Sequence, residues 1–251
     1  MESVAGKAFL DLVREGISDS PRSRQVELGP SEIGDPCERK LAFKLLDTPK
    51  VGELPPWRQT VGTAVDEHLS KMLAQHPDWM VHGGRLHVGD TVMYPIKGTP
   101  DFYHIPSQSL CDLKTSGPST VKKARAAANK GQISQGYRVQ LHAYARGLIR
   151  DGYPVRKVVL IRMPSAGELD DTVIFEEDYD ESIVTKALDR LNFLQMLVLA
   201  HGKKAPAMVE GTESYCNRCS YFRPMAKDLS VGCPGAGAQE FDKTLGGLLP
   251  G

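Results

Sequence analysis

The run VRKVVLIRM, residues 155–163, constrains the fold more than any other stretch of the chain. Val158, Val159, Leu160 and Ile161 follow one another without a polar break, so an extended strand here has no face fit for water and needs cover on both sides. Two amphipathic helices are placed to provide it. One is predicted from about Ser134 to Arg150, stopping at Gly152. The other lies over YDESIVTKALDRLNFLQMLVLAHG, where Ile183, Ala187, Leu191, Leu194 and Val198 share a stripe and Gly202 ends the helix. DTVIFEE is the expected neighbouring strand. The fold class is therefore α/β, a mixed central sheet flanked by helices.

Upstream, the first segment to about Thr48 reads as helical with a break at LGPSEIGDP, where Pro30, Gly34 and Pro36 interrupt regular structure, and a helix restarts at Cys37. After the Pro-rich GELPPW, the residues Val61, Val65, Leu69, Met72 and Leu73 recur at helical spacing. GRLHVGDTVMYPIKGTPDFYHI and SLCDLKT alternate apolar and polar residues around turn signals, and are expected to form a three-stranded meander. The basic, small-residue stretch GPSTVKKARAAANKGQ leads into the Ser134 helix. The tail after Pro206 has little periodicity. These breaks suggest three parts: 1–60, a core over 61–205 and a tail over 206–251.

A chain of 251 residues with 31 basic and 31 acidic side chains is large enough for one sizeable core. Its charge balance excludes nucleic-acid binding by bulk positive charge, so any such contact must be local. No apolar run is long enough to cross a bilayer, and the amphipathic, acidic start is unlike a signal peptide, so a cytoplasmic location is expected. In that compartment five cysteines point to metal ligation in preference to disulfides.

The chemistry concentrates in GTPDFYHIPSQSLCDLKTSG, residues 98–117. Strand alternation puts Asp112 and Lys114 on one face and Cys111 and Leu113 on the other. A hairpin closing near Ser107 brings Asp101 beside Asp112. Like charges that close call for a cation, and hard oxygen donors suit Mg²⁺ or Mn²⁺. Lys114 beside the ion is suited to orienting or deprotonating a water, or to stabilising charge on a phosphoryl group. Solvated turn carboxylates and a surface lysine are the plain alternative. In the following helix, QLHAY sets Gln140 and Tyr144 one turn apart on a shared face.

In order, PD, DLK and QLHAY resemble the PD-(D/E)xK nuclease superfamily and, within it, the RecB-like branch, which adds Q-x-x-x-Y after the lysine strand. The resemblance implies a restriction-endonuclease-like core and metal-dependent DNA cleavage. Asp101 and Asp112 are then metal ligands with the Leu113 carbonyl as a further one, Lys114 is catalytic, and Gln140 and Tyr144 help to hold DNA. The branch usually carries G-x-x-x-H on the preceding helix, where GTAVDEHL has Asp66. His68 lies two residues on, about 200° around a helix, and cannot substitute. Asp66 as a ligand makes the site all-oxygen, which favours Mg²⁺ over Mn²⁺.

The cysteines of YCNRCSYFRPMAKDLSVGCPG supply Cys216 and Cys219 in C-x-x-C, then Cys233. Cys37 is the candidate fourth ligand, and Cys111 reads as a buried small hydrophobe. One cysteine before and three after a RecB-like core resemble the fourth CRISPR-associated (Cas) protein family, its phage-encoded exonuclease relatives, and the iron-sulfur nuclease domain of AddB. This likeness runs from about Ser31 to Pro234 and implies a 4Fe-4S cluster joining the two ends of the chain. Its other implications are exonuclease action on single-stranded DNA ends and protein partners in recombination or CRISPR adaptation. The long Cys219–Cys233 gap favours the phage-type relatives. From spacing alone, Zn²⁺ on the same thiolates, or no metal, stays open. Lys122, Lys123, Arg125, Lys130 and Arg138 are the candidate DNA-backbone contacts, with a solvated charged helix as the alternative. Arg39, Lys40 and Lys44 pose the same question near the cysteines.

Overall fold

The computed structural model describes residues 3–18, 27–51, 57–212, 216–229 and 232–236, so the Pro-rich 52–56 and the end of the tail from 237 lie outside the described residues. In chain order the elements are α1 (Val4–Ser18), α2 (Glu38–Leu45), α3 (Trp57–Leu73), β1 (Trp79–Val81), β2 (Leu86–Gly89), β3 (Ile96–Gly98), β4 (Phe102–His104) and β5 (Ser109–Ser116), then α4 (Pro118–Ala128), α5 (Gln135–Arg150), β6 (Lys157–Pro164), β7 (Val173–Asp178) and α6 (Glu181–His201).

The main sheet has the order β1-β4-β5-β6-β7. Only the β5–β6 pair is parallel, and the other three pairs are antiparallel. A parallel pair needs a crossover, which α4 and α5 provide. The apolar run of β6 is buried on both faces, as its composition requires. Val158 and Leu160 pack with Leu110, Leu141 and Leu148 of the α5 layer. Val159 lies in the opposite layer with Cys111 and Leu113, where Ile161 and the α3 residues Val65 and Leu69 pack against them. A further core gathers α2, α5 and α6 around Leu41, Ala143, Leu191 and Leu194. Among the described residues no helix is long and apolar enough to cross a membrane.

One expectation is corrected. The meander does not form: β2 and β3 make their own two-stranded sheet, and β4 pairs instead with the short β1. A bulge between His87 and Gly89 breaks the alternation there. The basic stretch forms the charged helix weighed for it, α4, begun by Pro118 at its first position and anchored through buried Val121. Cys37 stands at the N-cap of α2, where the helix was expected to restart.

Candidate active site

The β4–β5 hairpin turns through residues 105–108, with Gln108 N–H donating to the Ile105 carbonyl at 3.2 Å and Gln108 at a left-handed φ of 53°. Its register pairs Phe102 with Cys111, so Asp101 comes down beside the 112–113 peptide. Asp101 Oδ2 accepts a hydrogen bond from Leu113 N–H at 2.7 Å. Asp112 is 1% exposed. Its Oδ1 accepts from Gln140 Nε2 at 3.0 Å, and its Oδ2 lies 2.5 Å from Lys114 Nζ. The hairpin therefore brings Asp101, Asp112 and Lys114 together, and α5 lays Gln140 over them.

Tyr144, one turn after Gln140, is buried in the α5 layer, with its ring against Gly98 of β3, where a Cβ would come within 2.9 Å of Tyr144 Cε1. Asp66 is half-buried on α3 and acts electrostatically on Asp101, while His68 is exposed. The electrostatics follow from this crowding. Burial, then the Asp112 charge, push the Asp101 carboxyl up to about 7, with Asp66 adding to them and Lys114 and the Leu113 N–H opposing. Burial pulls Lys114 down, but Asp112 and Asp101 outweigh it and the ammonium ends above its ordinary value. Lys114 is thus held as a cation, the form suited to stabilising phosphoryl charge more than to taking a proton.

Among the described residues no three His, Cys, Asp or Glu side chains are closed into metal-holding geometry, and the positive charge beside Asp112 is the Lys114 ammonium. The donor set still suits a hard divalent ion. When ionised, Asp101 and Asp112 present acceptor-only oxygens on neighbouring strands in a mutually repulsive field, which a divalent cation relieves.

Sequence reasoning missed two neighbours. Tyr137 of α5 has its ring 5.8 Å from Lys114 Nζ and 4.9 Å from the guanidinium of Arg162 on β6. The one signal for Arg162 was a charged residue following an otherwise apolar run.

The predicted backbone contacts divide. Lys122, Lys123 and Lys130 are exposed on or just after α4. Arg125 donates to the Asp171 carbonyl at 2.8 Å, and Arg138 grips Glu177 with two nitrogens. His142, fully buried, completes that cluster. Its Nδ1 accepts from Asp180 N–H, which leaves the Nε2 proton for Glu177 at 3.0 Å. Burial alone would raise the Glu177 carboxyl, but Arg138 and His142 hold it below its usual range.

All four candidate cysteine ligands line one cavity of about 250 Å³ between the start of α2 and the tail. A turn at Cys216–Arg218, closed by Cys219 N–H donating to Cys216 O at 3.0 Å, folds the C-x-x-C pair, and Cys233 N–H donates to Tyr221 O at 2.7 Å. Burial raises the Cys219 thiol; the Tyr221 backbone and Lys40 oppose this, and Cys37 and Cys233 add to it. Arg39, 1% exposed, donates to the carbonyls of Pro206 and Val209 and lies 4.0 Å from Cys233 Sγ. Cys111 stands apart, buried on the other sheet face, where burial pushes its thiol up to about 12.

No family model matches this chain, and no curated protein matches its sequence. Among solved structures, the protein SSO0001 superposes over 94% of this chain and 99% of its own at 16% identity, with a TM-score of 0.50, a likeness of fold. An alkaline exonuclease, LHK-Exo, from Laribacter hongkongensis aligns over 75% of this chain and 97% of its own at 14% identity, TM-score 0.48. A phage-related exonuclease from Haemophilus somnus 129PT aligns over 65% and 81% at 14% identity, TM-score 0.44.

Proposed function

We propose that this chain is a metal-dependent deoxyribonuclease, acting as an exonuclease on single-stranded DNA ends. The observation that carries the reading is the convergence of Asp101, Asp112 and Lys114 on one sheet face beneath Gln140. Mg²⁺ or Mn²⁺ bound there would supply a water of lowered pKa and a Lewis acid for the phosphoryl oxygen. Asp101 and Asp112, with Asp66 and the Leu113 carbonyl as further candidates, would hold the ion. Gln140 fixes the rotamer of Asp112 through its amide N–H. Lys114, kept protonated, offsets the negative charge that builds on the phosphorane as water oxygen bonds to phosphorus and the ester oxygen leaves. Tyr144 braces β3 against α5, and the exposed Lys122, Lys123 and Lys130 would supply contacts to the strand's phosphates.

The cysteine cavity suits a thiolate-bound centre. Four cysteines from both ends of the chain line one cavity, and the buried Arg39 cation, 4.0 Å from Cys233 Sγ, favours negative charge within it. Cys37, Cys216, Cys219 and Cys233 would hold a 4Fe-4S cluster, which supplies a cross-link between the ends of the chain. Zn²⁺ on the same thiolates is the other occupant this donor set accepts.

The test is a cleavage assay on single strands labelled at the 5′ or the 3′ end. The expected result is stepwise shortening that needs Mg²⁺ or Mn²⁺, stops with chelator, and disappears in Lys114→Ala while DNA binding persists. Binding without cleavage in the wild-type protein would refute the reading.

A further inference from the structure

Arg162 is a buried cation that, among the described residues, has no anion beside it. It is 7% exposed. The parallel register sets it directly across from Lys114, so it shares the sheet face that carries Asp112. Its Nη1 donates to the Ser116 hydroxyl at 2.7 Å, and its guanidinium lies 4.9 Å from the Tyr137 ring centroid. Among the described residues its buried Nε has no hydrogen-bond partner. Arg125, Arg138 and Arg146 pair with Asp171, Glu177 and Glu181, whereas among the described residues no carboxylate pairs with Arg162. A desolvated guanidinium held by one neutral hydroxyl and one ring is costly unless an anion completes it.

The ring and the hydroxyl fix where the plane of the guanidinium lies. Tyr137 spans the two cations, with Lys114 Nζ 5.8 Å from the same ring. Two positive groups on adjacent strands, beside the carboxylates of the site, match the charge of a phosphate, and the planar guanidinium fork can engage two of its oxygens. We propose that Arg162, oriented by Ser116 and Tyr137, forms a phosphate seat that holds a DNA phosphate next to the bond being cut. This deepens the nuclease reading and rests on it.

The seat can be read without cleavage, by fluorescence anisotropy of single-stranded oligonucleotides in Ca²⁺, each with a 5′-phosphate or a 5′-hydroxyl end. Arg162→Met is expected to weaken binding about 10- to 100-fold, the value of a charge-assisted contact. It should also flatten the slope of log K against log salt by about 0.7, one single-strand phosphate. Equal loss on both ends assigns an internal diester, and loss on the phosphorylated end alone assigns a terminal phosphate. Arg162→Lys keeps the charge without the fork and is expected to keep the salt slope while losing affinity several-fold, which decides the question if the Met variant does not fold. A wild type that binds DNA but never cuts it would overturn the nuclease reading and with it the placement of the seat beside a bond being cut, while weaker binding by Arg162→Met would still assign a phosphate contact. Unchanged affinity and salt slope in both folded variants would overturn the seat.

Discussion

Gly34 is where the N-terminal loop presses on α5, and replacing it with alanine tests how rigidly that helix is held over the site. A Cβ at residue 34 would stand 2.7 Å from Val139 Cβ, 2.9 Å from Gly136 Cα and 3.0 Å from Gly136 O. Carbon pairs are comfortable at about 3.5–4.0 Å, so the overlap is close to 1 Å. None of these atoms is the far end of a flexible side chain, so relief requires α5 itself to move. Overpacking of this kind costs about 3 kcal/mol, and the stiffer unfolded chain returns at most about 1 kcal/mol. The net loss of about 2 kcal/mol corresponds to a fall in Tm of about 4–8 °C for a chain of this size. Because α5 carries Gln140 and the adjoining Ser134–Gly136 turn lines the cysteine cavity, Gly34→Ala should also slow DNA cleavage. Thermal melts of Gly34→Ala and of Gly117→Ala, whose added Cβ meets nothing within 4 Å, make the comparison. If Gly34→Ala melts at or above the wild type, the close approach does not constrain the helix.

Glu177→Gln should cost about 1–3 kcal/mol at neutral pH, since it breaks the charge-assisted bonds to Arg138 and His142. The folded carboxyl is depressed, so its contribution is present above the ordinary value of 4.5 and is lost as pH falls through the lower folded value. Urea midpoints of the two proteins should therefore differ at neutral pH and converge in acid, and a constant gap would contradict the assignment. Cys37→Ser, purified without oxygen, should lose iron and acid-labile sulfide, whereas Cys111→Ser, altered on the opposite sheet face, should keep both; a colourless wild type containing zinc would exclude the cluster. Gln140→Leu should raise the Mn²⁺ concentration needed for half-maximal cleavage about 10- to 100-fold by freeing the Asp112 rotamer, measured by titrating Mn²⁺ at fixed DNA.

The parts legible in the sequence were those that a local pattern can encode. Four consecutive apolar residues were enough to bury β6 on both faces, and the 3.6-residue stripe was enough to place α6. The period of two on β5, with a turn after His104, put Asp101, Asp112 and Lys114 together. Other features depended on pairing that no local pattern carries. β4 chose β1, whose three residues are too few for a period, over β3, and the Gly89 bulge hid the separate β2–β3 sheet. α4 was legible only as a charged-helix alternative, because Val121 is its sole buried side chain and no apolar stripe marked it. Arg162 and Tyr137 reach the site through a parallel register and a crossover helix, and only the folded arrangement brings them beside Lys114.

A crystal soaked in Mn²⁺ and measured at the manganese absorption edge shows whether the two carboxylates share an ion. One strong anomalous peak is expected about 2.1 Å from carboxylate oxygens of both Asp101 and Asp112. The Lys114 ammonium should withdraw from Asp112, and the peak should be absent in Asp112→Asn. Manganese bound elsewhere, with both carboxylates free of it and DNA still cut, would contradict the account.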